Sequence, residues 1–260
     1  MTPMPDPAAP RAPSSTPARY LFVSDVHLDA AAPEPQRQFL DFLHAQVANP
    51  AAARALYILG DLFESWVGDD DAGAETAAVL AALRQLTASG VACFLMHGNR
   101  DFLIGAEFCR QTGCQLLPDP VVAEIDGERV LLTHGDALCI DDHSYQELRT
   151  TVRAPAWQRR FLTLPLPDRQ MLANEARAGS RAHTARTIPK IMDVNAAAVT
   201  AAFDAARVRR MIHGHTHRPA VHDALVGGQP VQRIVLGAWY EQGSYLVYQN
   251  GRYELLSLPR

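Results

Sequence analysis

Short apolar runs recur along this chain, and each gives way to a cluster of polar residues. Residues 20–23 in "YLFVSDVH", residues 56–59 in "LYILGDLFESW", and the runs inside "VACFLMHGNRD", "RVLLTHGD" and "VRRMIHGHTH" all follow that plan. Continuous apolar runs of this length predict strands buried on both faces, as in sheets covered by helices. Between them, "PQRQFLDFLHAQV" and "AETAAVLAALRQLTA" repeat apolar residues at three- and four-residue spacing, which predicts amphipathic helices. Strand alternating with helix implies an α/β architecture. In such sheets ligands bind beyond the carboxyl ends of the strands, where every one of these polar clusters falls.

The clusters share one chemistry. In order they offer Asp25 and His27, then Asp61, then His97, Asn99, Arg100 and Asp101, then His134 and Asp136, and finally His213, His215 and His217. Gly60, Gly98, Gly135 and Gly214 stand at equivalent places beside them, and predict tight turns with close backbone approach. Three imidazoles at alternate positions would be costly to bury without partners. Oxygen and nitrogen donors without thiolate suit divalent ions such as Mn²⁺, Fe²⁺ or Zn²⁺. The donors exceed what one tetrahedral site takes, which points to two metals. Paired ions need a bridging carboxylate and clamp a phosphoryl group from both sides. Asp61, alone on its strand end, is the expected bridge.

Composition narrows the picture at a few points. Apolar residues make up 48% and charged residues 20%, an ordinary globular balance. The net charge of −4 argues against a nucleic-acid partner. Cys93, Cys109, Cys114 and Cys139 form no CxxC pair, and read as reduced thiols of a cytosolic protein. No apolar run reaches the ~18 residues that span a bilayer. Residues 1–18, with six prolines in the first 17, are expected to be a disordered leader, and residues 19–260 the folded domain. Charge is uneven within that domain. Residues 143–192 hold nine Lys or Arg against three Asp or Glu, and lack strand-like runs. Arg149, Arg153, Arg159, Arg160 and Arg169 surround Trp157, Phe161, Leu162, Leu164 and Leu166. Two readings stand: a helical hairpin with solvated cations, or a lid whose apolar residues receive acyl chains while its cations meet diphosphate or anionic lipid.

Taken together, "DVH", "GDLFESW", "HGNRD", "THGD" and "GHTH" in this order resemble the calcineurin-like metallophosphoesterases, over residues 20 to about 240. The resemblance implies a two-sheet core flanked by helices. It also implies one metal held by Asp25, His27, Asp61 and His217, and the other by Asp61, Asn99, His134 and His215. His97 and His213 are surplus to that set. Asp101 and Asp136 are open to two roles, hydrogen-bonding the ligand histidines or capping helices.

One departure bears on the substrate. Many members of the superfamily carry "GNHD", whose histidine can protonate a leaving alcohol; here the motif reads "GNRD", with Arg100. Arginine cannot donate a proton at neutral pH but grips phosphate bidentately. A leaving group that needs no proton suits such a site. A phosphate monoester, with a second pKa of about 6, is one, so a P–O–P bond is favoured over an alkyl phosphodiester.

The blocks "YILGDLFESWVGDDD", "HGNRDFLIG", "LTHGDALCIDD", "IMDVN", "MIHGHTHRPAVH" and "VLGAWYEQGS" are similar more narrowly to the UDP-2,3-diacylglucosamine pyrophosphatases of lipid A synthesis in Gram-negative bacteria. That resemblance implies a hydrolase using two Mn²⁺ ions. Water attacks the α-phosphorus, releasing UMP and 2,3-diacylglucosamine 1-phosphate (lipid X), and residues 143–192 form the helical lid. Asp61, Asn99, Arg100 and His215 would serve catalysis. Asn99, Arg100, Asp142, Ser180 and His215 match positions that contact substrate. Thr184 and Thr187 stand where the family commonly carries Asn and Lys, with Arg186 and Lys190 nearby. A monomer, peripheral on the cytoplasmic face of the inner membrane, is expected. The alternatives are a soluble dimetal phosphodiesterase or nucleotide phosphatase, and a non-catalytic scaffold; a scaffold would be expected to lose ligands, and none is missing here.

Overall fold

The computed structural model describes residues 18–49, 53–71, 73–186 and 193–260. Most of the expected leader, and Thr187 of the expected lid, lie outside the described residues. Among the described residues eleven strands pair into two sheets. The first runs β11-β10-β1-β2-β3-β4 and the second β5-β6-β7-β9-β8. The ranges in the first are β1 Arg19–Val23, β2 Ala55–Leu59, β3 Ala92–Met96, β4 Gln115–Leu117, β10 Gly243–Gln249 and β11 Arg252–Leu258. Those in the second are β5 Val121–Ile125, β6 Glu128–Leu132, β7 Arg210–His213, β8 Ala220–Val226 and β9 Gln229–Val235.

Alternation along β1 explains how a continuous apolar run is used. Tyr20 and Phe22 face the second sheet, packing with Tyr57, Leu132, Ile212 and Ile234. Leu21 and Val23 face the other way, into a core completed by α1 (Pro33–Ala48), α2 (Ala74–Ala88) and α3 (Ala106–Thr112) through Phe39, Leu43, Val79, Leu83 and Phe108. Each such side chain, fully buried, contributes roughly 1.5–3 kcal/mol. The second sheet is covered on its outer face by α7 (Ala196–Ala206), whose Phe203 meets Leu131 and Met211. The result is mixed α/β with two face-to-face sheets and helices on both outer sides.

This layering aims the strand ends. β1, β2 and β3 are parallel neighbours, as are β6 and β7, so all five carboxyl ends open on one edge of the sandwich. Cross-links between loops fix that edge. Asp25 donates its N–H to Gly60 O at 3.1 Å, Gly214 donates to His134 O at 2.9 Å, and Trp239 donates to Asp25 O at 3.1 Å. Over the edge lie α4 (His143–Val152), α5 (Pro155–Leu162) and α6 (Leu166–Arg186). Arg169, almost fully buried, pins α6 to the core by donating to Val67 O at 2.6 Å and to Asp70.

Candidate metal centre

Five of the eight non-glycine residues with positive φ among the described residues are predicted ligands: Asp25, His27 and Asp61 at 53°, His215 at 67° and His217 at 56°. The left-handed region costs about 1–2 kcal/mol for an L-residue. Such strain concentrates where the fold holds a side chain in place for function. Close glycine contacts accompany it. A Cβ on Gly98 would lie 2.1 Å from Asp61 Oδ1, and one on Gly214 would lie 2.3 Å from Asp25 Oδ2.

The donors converge in two sets that share Asp25. Asp25, His27 and His217 bring ligand atoms within 4.8 Å of one another, and so do Asp25, Asp61 and His134. Asp61 Oδ2 stands 3.8 Å from both His27 Nε2 and His134 Nε2, between the two sets. Asn99 Oδ1 lies 2.9 Å from His134 Nε2 and 2.9 Å from His215 Nδ1. All seven predicted ligands therefore meet in one cluster.

His134 and His27 are each held by protein on the far side of the ring. His134 Nδ1 donates to Leu59 O at 2.9 Å, leaving Nε2 facing the centre. His27 Nδ1 meets Glu64 Oε2 at 2.9 Å, leaving its Nε2 free. What those free nitrogens face is other donors. His27 Nε2 and His217 Nε2 are 3.1 Å apart, and Asp25 Oδ1 is buried with no hydrogen-bond partner. Without a cation the charge balance falls to protons. Burial opposes a charged His134, yet Asp61, Asp136 and Asp25 outweigh it and push its pKa up to about 9. Burial raises Asp61. His215 goes the other way, to about 3, through burial and the neighbouring His134. An orphaned carboxylate oxygen, facing imidazoles and carboxylates crowded within reach of each other fit a pair of divalent cations.

The surrounding residues brace this cluster in ways the motifs did not resolve. Asp101 neither touches a ligand histidine nor caps a helix. Its carboxylate accepts N–H groups from Gly98 at 2.8 Å and Leu62 at 2.7 Å, holding the Asp61 and Asn99 loops together. Asp136 accepts from Tyr145 Oη at 2.6 Å and Arg149 Nε at 2.8 Å, tying α4 to the cluster. His213 is fully occupied: Nδ1 donates to Gly214 O at 2.9 Å and Nε2 accepts from Arg233 at 3.0 Å. His97 Nε2 donates to Ile104 O at 2.7 Å.

Glu64 went unassigned in the sequence because its role depends on which way His27 points. Besides meeting His27, it accepts from Arg177 of α6 at 2.8 Å. Burial would raise its pKa, but His27, Arg100 and Arg177 hold it at about 2. Carboxylates behind a metal-ligating histidine affect affinity by about 10–100-fold. Glu64→Gln is therefore expected to weaken divalent-metal binding by that order in calorimetric titration. Unchanged affinity would show that the carboxylate is dispensable for orienting His27.

The calcineurin-like phosphoesterase family model matches residues 18–219. The chain belongs to this family. Among its relatives are the UDP-2,3-diacylglucosamine hydrolases of Salmonella arizonae and Salmonella typhi, each 48% identical over 92% of this chain and 98% of the relative. A solved archaeal phosphodiesterase aligns over 92% of this chain and 99% of its own at 13% identity, with TM-score 0.46.

As in its family, this phosphoesterase carries a candidate site for divalent metals at the strand ends. Next to it lies a cavity of about 560 Å³ under the helices, lined by Asn99, Arg100, Trp66, Phe102, Trp157 and Ser180 among others. Arg100 Nε is buried there without a hydrogen-bond partner. Asp142 is not on that wall; its carboxylate caps α4 by accepting Tyr145 N–H at 3.1 Å. Thr184 falls in α6, and its side chain lies outside the described residues.

Proposed function

We propose that this calcineurin-like phosphoesterase hydrolyses the pyrophosphate bond of UDP-2,3-diacylglucosamine to UMP and 2,3-diacylglucosamine 1-phosphate, a step of lipid A biosynthesis, with two Mn²⁺ ions. The observation that carries this reading is the junction of the donor cluster with a large cavity that is mainly apolar yet holds arginines. A simple phosphodiester needs no such cavity, whereas two acyl chains on a phosphorylated sugar do.

In this reading Asp25, His27, Asp61 and His217 hold one ion and Asp61, Asn99, His134 and His215 the other. Bound there, the ions would lower the pKa of a shared water and offset phosphoryl charge. The residues supply position. Arg100, with its unpartnered Nε, grips the phosphoryl oxygens beside Asn99 and His215. Water oxygen bonds to the α-phosphorus as the bond to the bridging oxygen breaks. The acylated sugar 1-phosphate leaves as an anion, with no general acid required. Ser180, Asp142, Thr184 and Thr187 belong to the substrate-contact set of this reading, with residues 143–192 as its lid.

No helix among the described residues is long and apolar enough to cross a membrane. Leu148, Leu162, Met171 and Leu172 are exposed on α4, α5 and α6, near the exposed Arg159 and Arg160. Apolar side chains beside cations support reversible attachment of a monomer to the anionic inner-membrane surface, from the cytoplasmic side.

The test is product identification by mass spectrometry in ¹⁸O-labelled water. Labelled UMP and unlabelled acylated sugar 1-phosphate are expected. Cleavage of simple aryl phosphodiesters with no turnover of the lipid nucleotide would refute the substrate and leave a generic phosphodiesterase.

A further inference from the structure

A second cavity, of about 350 Å³, borders the donor cluster at His217. Its wall is built largely by "GAWYEQGS", the block whose Trp239 and Tyr240 also reach Asp25 and His27. The two cavities meet different parts of the cluster: Asn99 lines the first and His217 the second. They also differ in charge. The first carries Arg100, Arg149, Arg153, Arg160 and Arg177, a setting for a phosphate and acyl chains. The second has neither lysine nor arginine on its wall, and Glu241 is there. A free phosphate would be poorly held in it; an uncharged polar group would not.

Its fittings suit a planar polar ring. Tyr240 stacks on His27, with centroids 4.9 Å apart and planes 10° apart, yet stays 50% exposed. One part of the ring is therefore covered by the ligand histidine, and the rest is available for stacking. Gln242 donates through Nε2 to Ser257 Oγ at 3.3 Å, which leaves its carbonyl oxygen as an acceptor at the cavity wall. A pyrimidine imide presents an N–H donor between two carbonyl oxygens, the complement of a carboxamide and a hydroxyl.

We propose that this second cavity is the nucleoside subsite: it receives the uridine half of the substrate, with the base against Tyr240 and its imide edge at Gln242 and Ser257. The diphosphate then lies across the cluster, with the acylated sugar phosphate on the arginine side. This rests on the function proposed above.

The test uses the full chain loaded with Mn²⁺ and compares UMP with ribose 5-phosphate by calorimetry. Base stacking is worth about 1–3 kcal/mol, so UMP should bind about 5- to 150-fold more tightly. The cavity-filling Ser257→Trp is expected to erase that advantage, and Gln242→Ala, which leaves Tyr240 in place, to reduce it. Both should keep two metals per chain and an unaltered Kd for the acylated sugar 1-phosphate. Equal wild-type affinity for UMP and ribose 5-phosphate would overturn the proposal, as would an advantage that survives both substitutions. Failure of the functional reading is separately visible, as absence of turnover of the lipid nucleotide while the UMP preference persists.

Discussion

Asp61→Asn is expected to lower turnover by on the order of 10³-fold, the upper range for losing one preorganised electrostatic group, in a protein that still folds. Asparagine fills the same volume, and its Oδ1 can keep the bond that Asp61 Oδ1 accepts from Arg100 N–H at 2.8 Å. The substitution puts an amide NH₂ in place of Oδ2, the atom 3.8 Å from His27 and from His134. A neutral donor there cannot bridge two cations. Because burial already disfavours the ionised form of Asp61, the metal-free variant should melt no lower than the metal-free parent. Elemental analysis should show fewer than two ions per chain. Near-parental turnover with two ions bound would refute the bridging role.

Arg100→Ala carries the second large effect, a loss of about 10²–10³ in kcat/KM if the guanidinium stabilises the transferring phosphoryl group. Arg100→Lys restores charge without the planar fork, so it should recover only part of the loss. The pH profile distinguishes gripping from proton donation. If Arg100 only grips, the alkaline limb of the profile stays in place in both variants. A shift of that limb would instead mean that this position controls protonation of the leaving group, against the pyrophosphate reading.

Much of this molecule was legible in its residues. The apolar runs marked β1, β2, β3, β6 and β7 nearly to their ends, because residues buried on both faces leave an unbroken apolar signature. The polar residues after them named all seven candidate ligands. The surrounding supports were less legible. Asp101 lies beside the ligand loop in sequence, yet it binds backbone N–H groups rather than an imidazole. Asp142 matches a substrate-contact position by its motif, and its carboxylate also caps α4, which the motif did not reveal. Glu64 and Tyr240 sit against His27, but no spacing rule places them there.

By itself the sequence determined which side chains are candidates for the chemistry and that they stand at strand ends. Both follow from local order: burial writes the strand, and the loop after it writes the ligands. The tertiary structure alone decided that the five strand ends belong to two sheets, β1, β2 and β3 in one and β6 and β7 in the other. It also decided the ring orientations, the Glu64–His27 contact and the separation of an arginine-lined cavity from an arginine-free one. These depend on contacts between residues tens to hundreds of positions apart. Such contacts form only when the two sheets pack face to face and bring their loops to a common edge.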